Sequence, residues 1–192
     1  MLSVFAGSAL GGHESDTNTW YGLDAGKSIT SGFSNTFIGN SAGYSSTIGG
    51  YNSIIGHEAG FSSTGSINTF MGFRSGYSTT SNYNTFIGVY SGYSNTSGDY
   101  NAFLGHRVGY TNSTGVYNTF IGPVAGYYNT SGSYNTFIGP LAGYLENIDV
   151  ENYNTLIGYN SNIEGTSDAV TNSTAIGNRA YVSQSNSLVL GR

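Results

Sequence analysis

The chain has 192 residues, of which 30 are Gly, none is Cys and only 8% are charged, a composition unlike that of an ordinary globular domain. Seventeen Tyr, ten Phe and one Trp supply more buriable surface than a disordered segment carries, which excludes a low-complexity tail. The net charge of −5 sets ten acids against five scattered bases (Lys27, Arg74, Arg107, Arg179 and Arg192), so no cation cluster exists for nucleic acid, and without cysteine there is neither a disulfide nor a thiolate metal site.

The chain opens on an apolar stretch, residues 1–10, that lacks a basic start and fits the repeat that follows; it reads as structure and not as a secretion signal. No run approaches the ~18 apolar residues of a membrane span, so no membrane insertion of this segment is expected. From the start onward the phrase Asn-Thr-Phe-Ile-Gly keeps returning. Its closing glycine is found in twelve copies: Gly7, Gly22, Gly39, Gly56, Gly72, Gly88, Gly105, Gly122, Gly139, Gly158, Gly177 and Gly191, at a period of about 17.

Columns counted from this glycine hold constant properties. Four positions before it stands Asn in nine copies, from Asn18 to Asn154. Two before it is a large apolar residue (Phe5, Trp20, Phe37, Ile54, Phe70, Phe86, Phe103, Phe120, Phe137, Leu156), and one before it is usually Ile or Leu. Four after it a second glycine recurs from Gly11 to Gly143, followed by a ring at Tyr44, Phe61, Tyr77, Tyr93, Tyr110, Tyr127 and Tyr144. Polar turns such as Asn95-Thr96-Ser97-Gly98 separate the copies.

A period this short suits one coil of a β-solenoid, since β-branched and aromatic residues favour pleated strands while Gly and Asn tolerate positive φ. Each coil is expected to carry two short strands, one over Tyr-Asn-Thr-Phe-Ile and one over Ala-Gly-Tyr. About twelve coils stacked at ~4.8 Å give an all-β parallel rod on the order of 50 Å long. Adjacent strand residues point to opposite faces, so Phe86 and Ile87, like Phe103 and Leu104, cannot share one interior. Such a strand is buried on both sides, and an outer apolar stripe along a rod calls for covering by further copies about a two- or three-fold axis.

The closing copies, Asn172-Ser173-Thr174-Ala175-Ile176-Gly177-Asn178-Arg179-Ala180 and Asn186-Ser187-Leu188-Val189-Leu190-Gly191, resemble the head repeats of YadA-like trimeric autotransporter adhesins. The resemblance covers residues 171–192 and implies a left-handed parallel β-roll that forms a homotrimer. The Phe-rich copies before them are similar to repeats of long bacterial surface proteins and phage tail fibres, but run to about 17 residues where the family has about 14 and carry Phe where it has Ala. The chain therefore divides into a Phe-rich array, 1–170, and YadA-like terminal repeats, 171–192, that would lead into a stalk or neck.

Few residues offer chemistry. His57 and His106 share the column after the signature glycine but stand three coils apart, about 14 Å at ladder spacing, too far for one metal ion. His13 lies in the irregular first turn. Glu146, Asp149 and Glu151 occupy an enlarged coil without the glycine-turned loop of a calcium motif and read as a solvated insertion. The Asn column is expected to form a ladder, and the Thr column beside it (Thr19, Thr36, Thr69, Thr85, Thr119, Thr136, Thr155, Thr174) to be buried or part of that ladder. Tyr51, Tyr83, Tyr100, Tyr117, Tyr134 and Tyr153 are read as packing residues, with sugar-stacking platforms as the alternative. The sequence assigns no catalytic, cofactor-binding or metal residue. It points to an extracellular structural or adhesive fibre segment, on a bacterial surface or a phage, that attaches to a cell-surface receptor, glycan or matrix protein; an ice-binding solenoid using the Thr and Asn columns is the alternative.

Overall fold

The computed structural model describes residues 17–144, 152–164 and 169–191. The first copy with Gly7, together with His13, Glu146, Asp149 and Glu151, lies outside the described residues. Within them the chain is an all-β parallel solenoid with no helix. Eleven strands form one sheet in chain order: β1 (Thr19–Tyr21), β2 (Thr36–Ile38), β3 (Ser53–Ile55), β4 (Thr69–Met71), β5 (Thr85–Ile87), β6 (Ala102–Leu104), β7 (Thr119–Ile121), β8 (Thr136–Ile138), β9 (Thr155–Ile157), β11 (Thr174–Ile176) and β13 (Leu188–Leu190). All pairings are parallel, and each aligns phrase with phrase, as in Thr119↔Thr136, Phe120↔Phe137 and Ile121↔Ile138. Coil-length differences are absorbed in the turns, so every column stacks on its own kind.

The core is the column two before the signature glycine. Phe37, Ile54, Phe70, Phe86, Phe103, Phe120, Phe137, Leu156 and Ala175 are all fully buried. The consecutive rings from Phe70 to Phe137 stack at 4.7–5.2 Å between centroids. A parallel-stacked column of this kind is possible because identical residues meet at the ladder spacing.

The expected second strand over Ala-Gly-Tyr does not form in the Phe-rich coils. There the second glycine has φ between 54° and 64°, which turns the chain. It also lies against the Phe ring: a Cβ at Gly92 would stand 2.4 Å from Phe86 Cδ2, and one at Gly126 2.4 Å from Phe120 Cδ2. A large ring two before the signature glycine thus requires no side chain four after it. The exchange runs the other way in the closing coils. Where Phe gives way to Leu156 and Ala175, Asn162 and Tyr181 take the glycine's place and the chain stays extended as β10 (Asn162–Ile163) and β12 (Tyr181–Val182). Ile163 and Val182 then enter the core, at 1% and 0% exposure, and fill the volume the ring occupied elsewhere.

Two amide systems tie the coils together. The first is the Asn column, buried from Asn35 to Asn154, but it bonds to backbone more than to itself. Asn118 shows the pattern: its N–H donates to Asn101 Oδ1 (3.0 Å), its Oδ1 accepts from the Asn135 N–H (2.9 Å), and its Nδ2 donates to Gly132 O (2.8 Å). The second is a side-chain ladder seven positions after the signature glycine, where Asn112 Nδ2 donates to Asn95 Oδ1 (2.8 Å) and Asn129 Nδ2 to Asn112 Oδ1 (2.7 Å). The same column holds Ser46, Ser63 and Thr79 earlier in the chain, and their buried hydroxyls have no hydrogen-bond partner.

Candidate functional site

Strand alternation places the third and first residues before each signature glycine on the outer face of the eleven-stranded sheet. The Thr column is accordingly outward and not buried: Thr19 and Thr85 are exposed, and the other threonines of this column are half-buried. Beside it runs the aliphatic column Ile38, Ile55, Met71, Ile87, Leu104, Ile121, Ile138, Ile157, Ile176 and Leu190, of which Met71 is 45% exposed and Leu104 47%. The outer face is therefore an array two ranks wide, Thr-x-Ile in most coils with Ser53, Ala102 and Leu188 interrupting the Thr rank, repeated at the strand spacing of ~4.8 Å.

A third rank flanks it, five before the glycine. Its residues have φ of 54–60° in every described coil from Ser34 to Asn186, a left-handed conformation that costs a residue with a Cβ about 1 kcal/mol. Asn172 and Asn186 suit that backbone, yet five consecutive coils put Tyr there: Tyr83, Tyr100, Tyr117, Tyr134 and Tyr153. Their rings stack at 4.6–5.0 Å with planes within 10° of parallel. Each ring covers its neighbour's face, so the packing role expected from the sequence is the one observed, and between neighbours no face is open to a sugar. Edges and hydroxyls reach solvent. Burial by the adjacent rings raises the Tyr100 phenol above its ordinary pKa, reinforced by Tyr83 and Tyr117. The three ranks contain no charged residue among the described positions.

Around the turn made by the signature glycine, a different surface appears. The residue two after the glycine also has positive φ in each coil, 50–61° from Asp24 to Arg179, and here the side chains vary. Glu58, Arg74, Tyr90 and Arg107 follow one another up this column. Arg74 Nε pairs with Glu58 Oε2, which holds the guanidinium pKa raised, and its guanidinium lies 5.1 Å from the Phe73 centroid and 5.5 Å from that of Tyr77. Arg107 is exposed and lies 5.8 Å from the Tyr90 centroid. His57 and His106 are both exposed; the His57 ring stacks on Phe73 at 5.4 Å. They stay in separate coils, and among the described residues no group of His, Cys, Asp or Glu gathers as metal ligands do.

The sequence reading ranked an outward Thr rank behind a buried or ladder role and did not include the second amide ladder. Both carried a signal: strand parity puts Thr and Ile of one phrase on one side, and Asn95, Asn112 and Asn129 recur at the coil spacing. No family model, curated protein or solved structure matches the chain.

Proposed function

We propose that the chain is a non-catalytic, rigid fibre segment that assembles as a homotrimer through its Thr-x-Ile face and serves attachment outside the cell, on a bacterial surface or a phage fibre. The observation that carries this is the column one before the signature glycine, aliphatic and outward from Ile38 to Leu190, on a face with no charged residue among the described positions. Ten strand steps give about 50 Å of length, and the three ranks span roughly 15 Å, so the face offers about 700 Å². That is close to the ~800 Å² each partner contributes to an interface of standard size. Charge-free, repetitive faces of this kind suit closed rotational symmetry, where identical stripes converge on one axis. The likeness of the closing coils to trimeric adhesin heads supports the same arrangement.

The test is to place cations in the aliphatic column, for example Leu104→Lys with Ile121→Lys. Both side chains are outward, so the double variant keeps its strand signature in circular dichroism while its sedimentation falls to that of one chain. A variant that remains assembled would remove this role for the face.

Ice binding is the second function that an observation favours, because the Thr hydroxyls and methyls form an outward rank at the coil spacing, interrupted at Ser53 and Ala102. A freezing point depressed below the melting point by the wild-type chain, and abolished by Thr119→Lys, would establish ice binding in place of assembly; no gap between the two temperatures would eliminate it.

A further inference from the structure

The two columns after the signature glycine are where the coils differ most, and they hold the least regular chemistry of the rod. Their heights are fixed: the N–H groups of Arg74, Tyr90 and Arg107 donate to His57 O, Phe73 O and Val89 O of the preceding coils at 2.9–3.0 Å. Side chains on these columns are thus displayed at one-coil intervals from a rigid backbone, as binding residues are when loops sit on a fixed scaffold.

Charge singles out one place among them. Lys27 pairs with Asp24 and Arg74 with Glu58, whereas Arg107 has no carboxylate partner among the described residues. Arg179 shares that property, but among the described residues only Arg107 of the two lies over a ring, that of Tyr90. The rings here are also set differently. In the column five after the glycine, aromatic neighbours from Tyr44 to Tyr127 stack nearly parallel at 4.9–5.1 Å. Tyr90 stands across that stack, 5.5 Å from Tyr93 at 68° and 6.1 Å from Tyr110 at 65°. The result is an angular corner of ring surface with a guanidinium at its edge. Burial raises the Tyr110 phenol above its ordinary pKa, and like any tyrosine hydroxyl it can donate at neutral pH.

A guanidinium fork matches a carboxylate in two parallel hydrogen bonds. Tyrosines supply rigid, amphipathic contact area with a hydroxyl for polar partners. With Arg107 the unpaired cation beside these rings and a net charge of −5 over the chain, the surface favours a ligand with a single anionic group on a neutral, hydroxyl-rich body over a polyanion. We propose that Arg107, Tyr90, Tyr93 and Tyr110 form a binding site for an acidic saccharide, its carboxylate on the Arg107 fork and the C–H face of its ring against Tyr90. The site lies on one coil neighbourhood and does not depend on assembly of the chain.

Titration calorimetry of the full chain tests it, with sialyllactose and a glucuronic-acid disaccharide as single-carboxylate probes, lactose as the neutral control and hexaglutamate as the acidic-peptide control. At least one acidic saccharide is expected to bind saturably, tenfold or more tighter than lactose and hexaglutamate. Arg107→Gln lowers that affinity about tenfold or more, as loss of a charge-assisted hydrogen bond does, Arg107→Lys restores only part of it, and Arg179→Gln leaves it unchanged. Arg107 is exposed, so Arg107→Gln keeps the fold even if Tyr90→Ser does not. The site is overturned if neither acidic saccharide saturates, if lactose binds equally well, if Arg107→Gln is without effect, or if hexaglutamate binds as tightly. Sedimentation of the same samples reports assembly separately, so failure of the site and failure of the trimer are read independently.

Discussion

Replacing Asn118 with alanine removes one rung of the amide system that joins three coils. The Asn135 N–H then loses Asn118 Oδ1, its partner at 2.9 Å, while Gly132 O keeps a second donor in Asn129 Nδ2 at 3.0 Å. One buried N–H left without an acceptor costs about 1–3 kcal/mol, and the lost bond to Gly132 adds about 1 kcal/mol, so a destabilisation of about 3 kcal/mol is expected. Asn52→Ala should cost about 1 kcal/mol more. Its Oδ1 accepts from the Asn68 N–H at 2.9 Å, and its Nδ2 is the donor to Gly65 O at 2.9 Å, with no second side-chain amide on that carbonyl among the described residues. Asn118→Asp adds a pH signature. One carboxylate oxygen can still accept from Asn135, but the other takes the place of an Nδ2 that lay 2.8 Å from Gly132 O, setting acceptor against acceptor. Burial and this contact raise the folded-state carboxyl pKa above the ~3.9 of the unfolded chain. The folded state then retains a proton that the unfolded state releases, so the variant loses stability as pH rises from about 4 through the folded-state value. Urea unfolding at fixed chain concentration, followed by circular dichroism at pH 4 and pH 7 beside the wild type, measures all three. Alanine variants within about 0.5 kcal/mol of wild type, or an Asn118→Asp deficit that does not change with pH, would refute the role given to this column.

Three further outcomes follow from the packing. Gly88→Ala should cost more than about 3 kcal/mol, because φ is 131° and the new Cβ would lie 2.2 Å from Gly105 O, whereas Gly191→Ala, with no atom within 4 Å, should cost about 1 kcal/mol; thermal unfolding of the pair checks the contrast. Thr79→Val replaces a buried hydroxyl that has no partner by a methyl of the same shape and is expected to raise stability by about 1 kcal/mol in urea titrations. At Tyr117, alanine and glycine both lose the ring contacts with Tyr100 at 4.7 Å and Tyr134 at 5.0 Å, but glycine also relieves the backbone at φ 55°, so Tyr117→Gly should be the more stable variant by about 1 kcal/mol.

The solenoid was legible because one phrase returns at a steady interval, and because Phe and Ile next to each other cannot face the same way. The inward Phe column, the buried Asn column and the parallel register all follow from that pattern. The missing second strand did not follow, since its cause is a three-dimensional exchange: the ring of Phe86 occupies the space that a side chain at Gly92 would need. Only Leu156 with Ile163, and Ala175 with Val182, reveal the rule by breaking it. The Tyr column was legible as a set of packing residues, but its left-handed backbone was not, as Tyr is an unusual choice for that conformation and the stacking that offsets the cost joins residues a full coil apart. The corner at Arg107 could not be read from the sequence at all, because the crossed ring of Tyr90 depends on how three successive coils turn.

The mass of the assembled chain in dilute buffer, from sedimentation equilibrium, bears most directly on the outward Thr-x-Ile face. With a chain of 20.2 kDa, three copies joined along that face should weigh about 61 kDa and should dissociate when Leu104 and Ile121 are made lysine. A well-folded species of 20.2 kDa across the accessible concentration range would contradict assembly through this face.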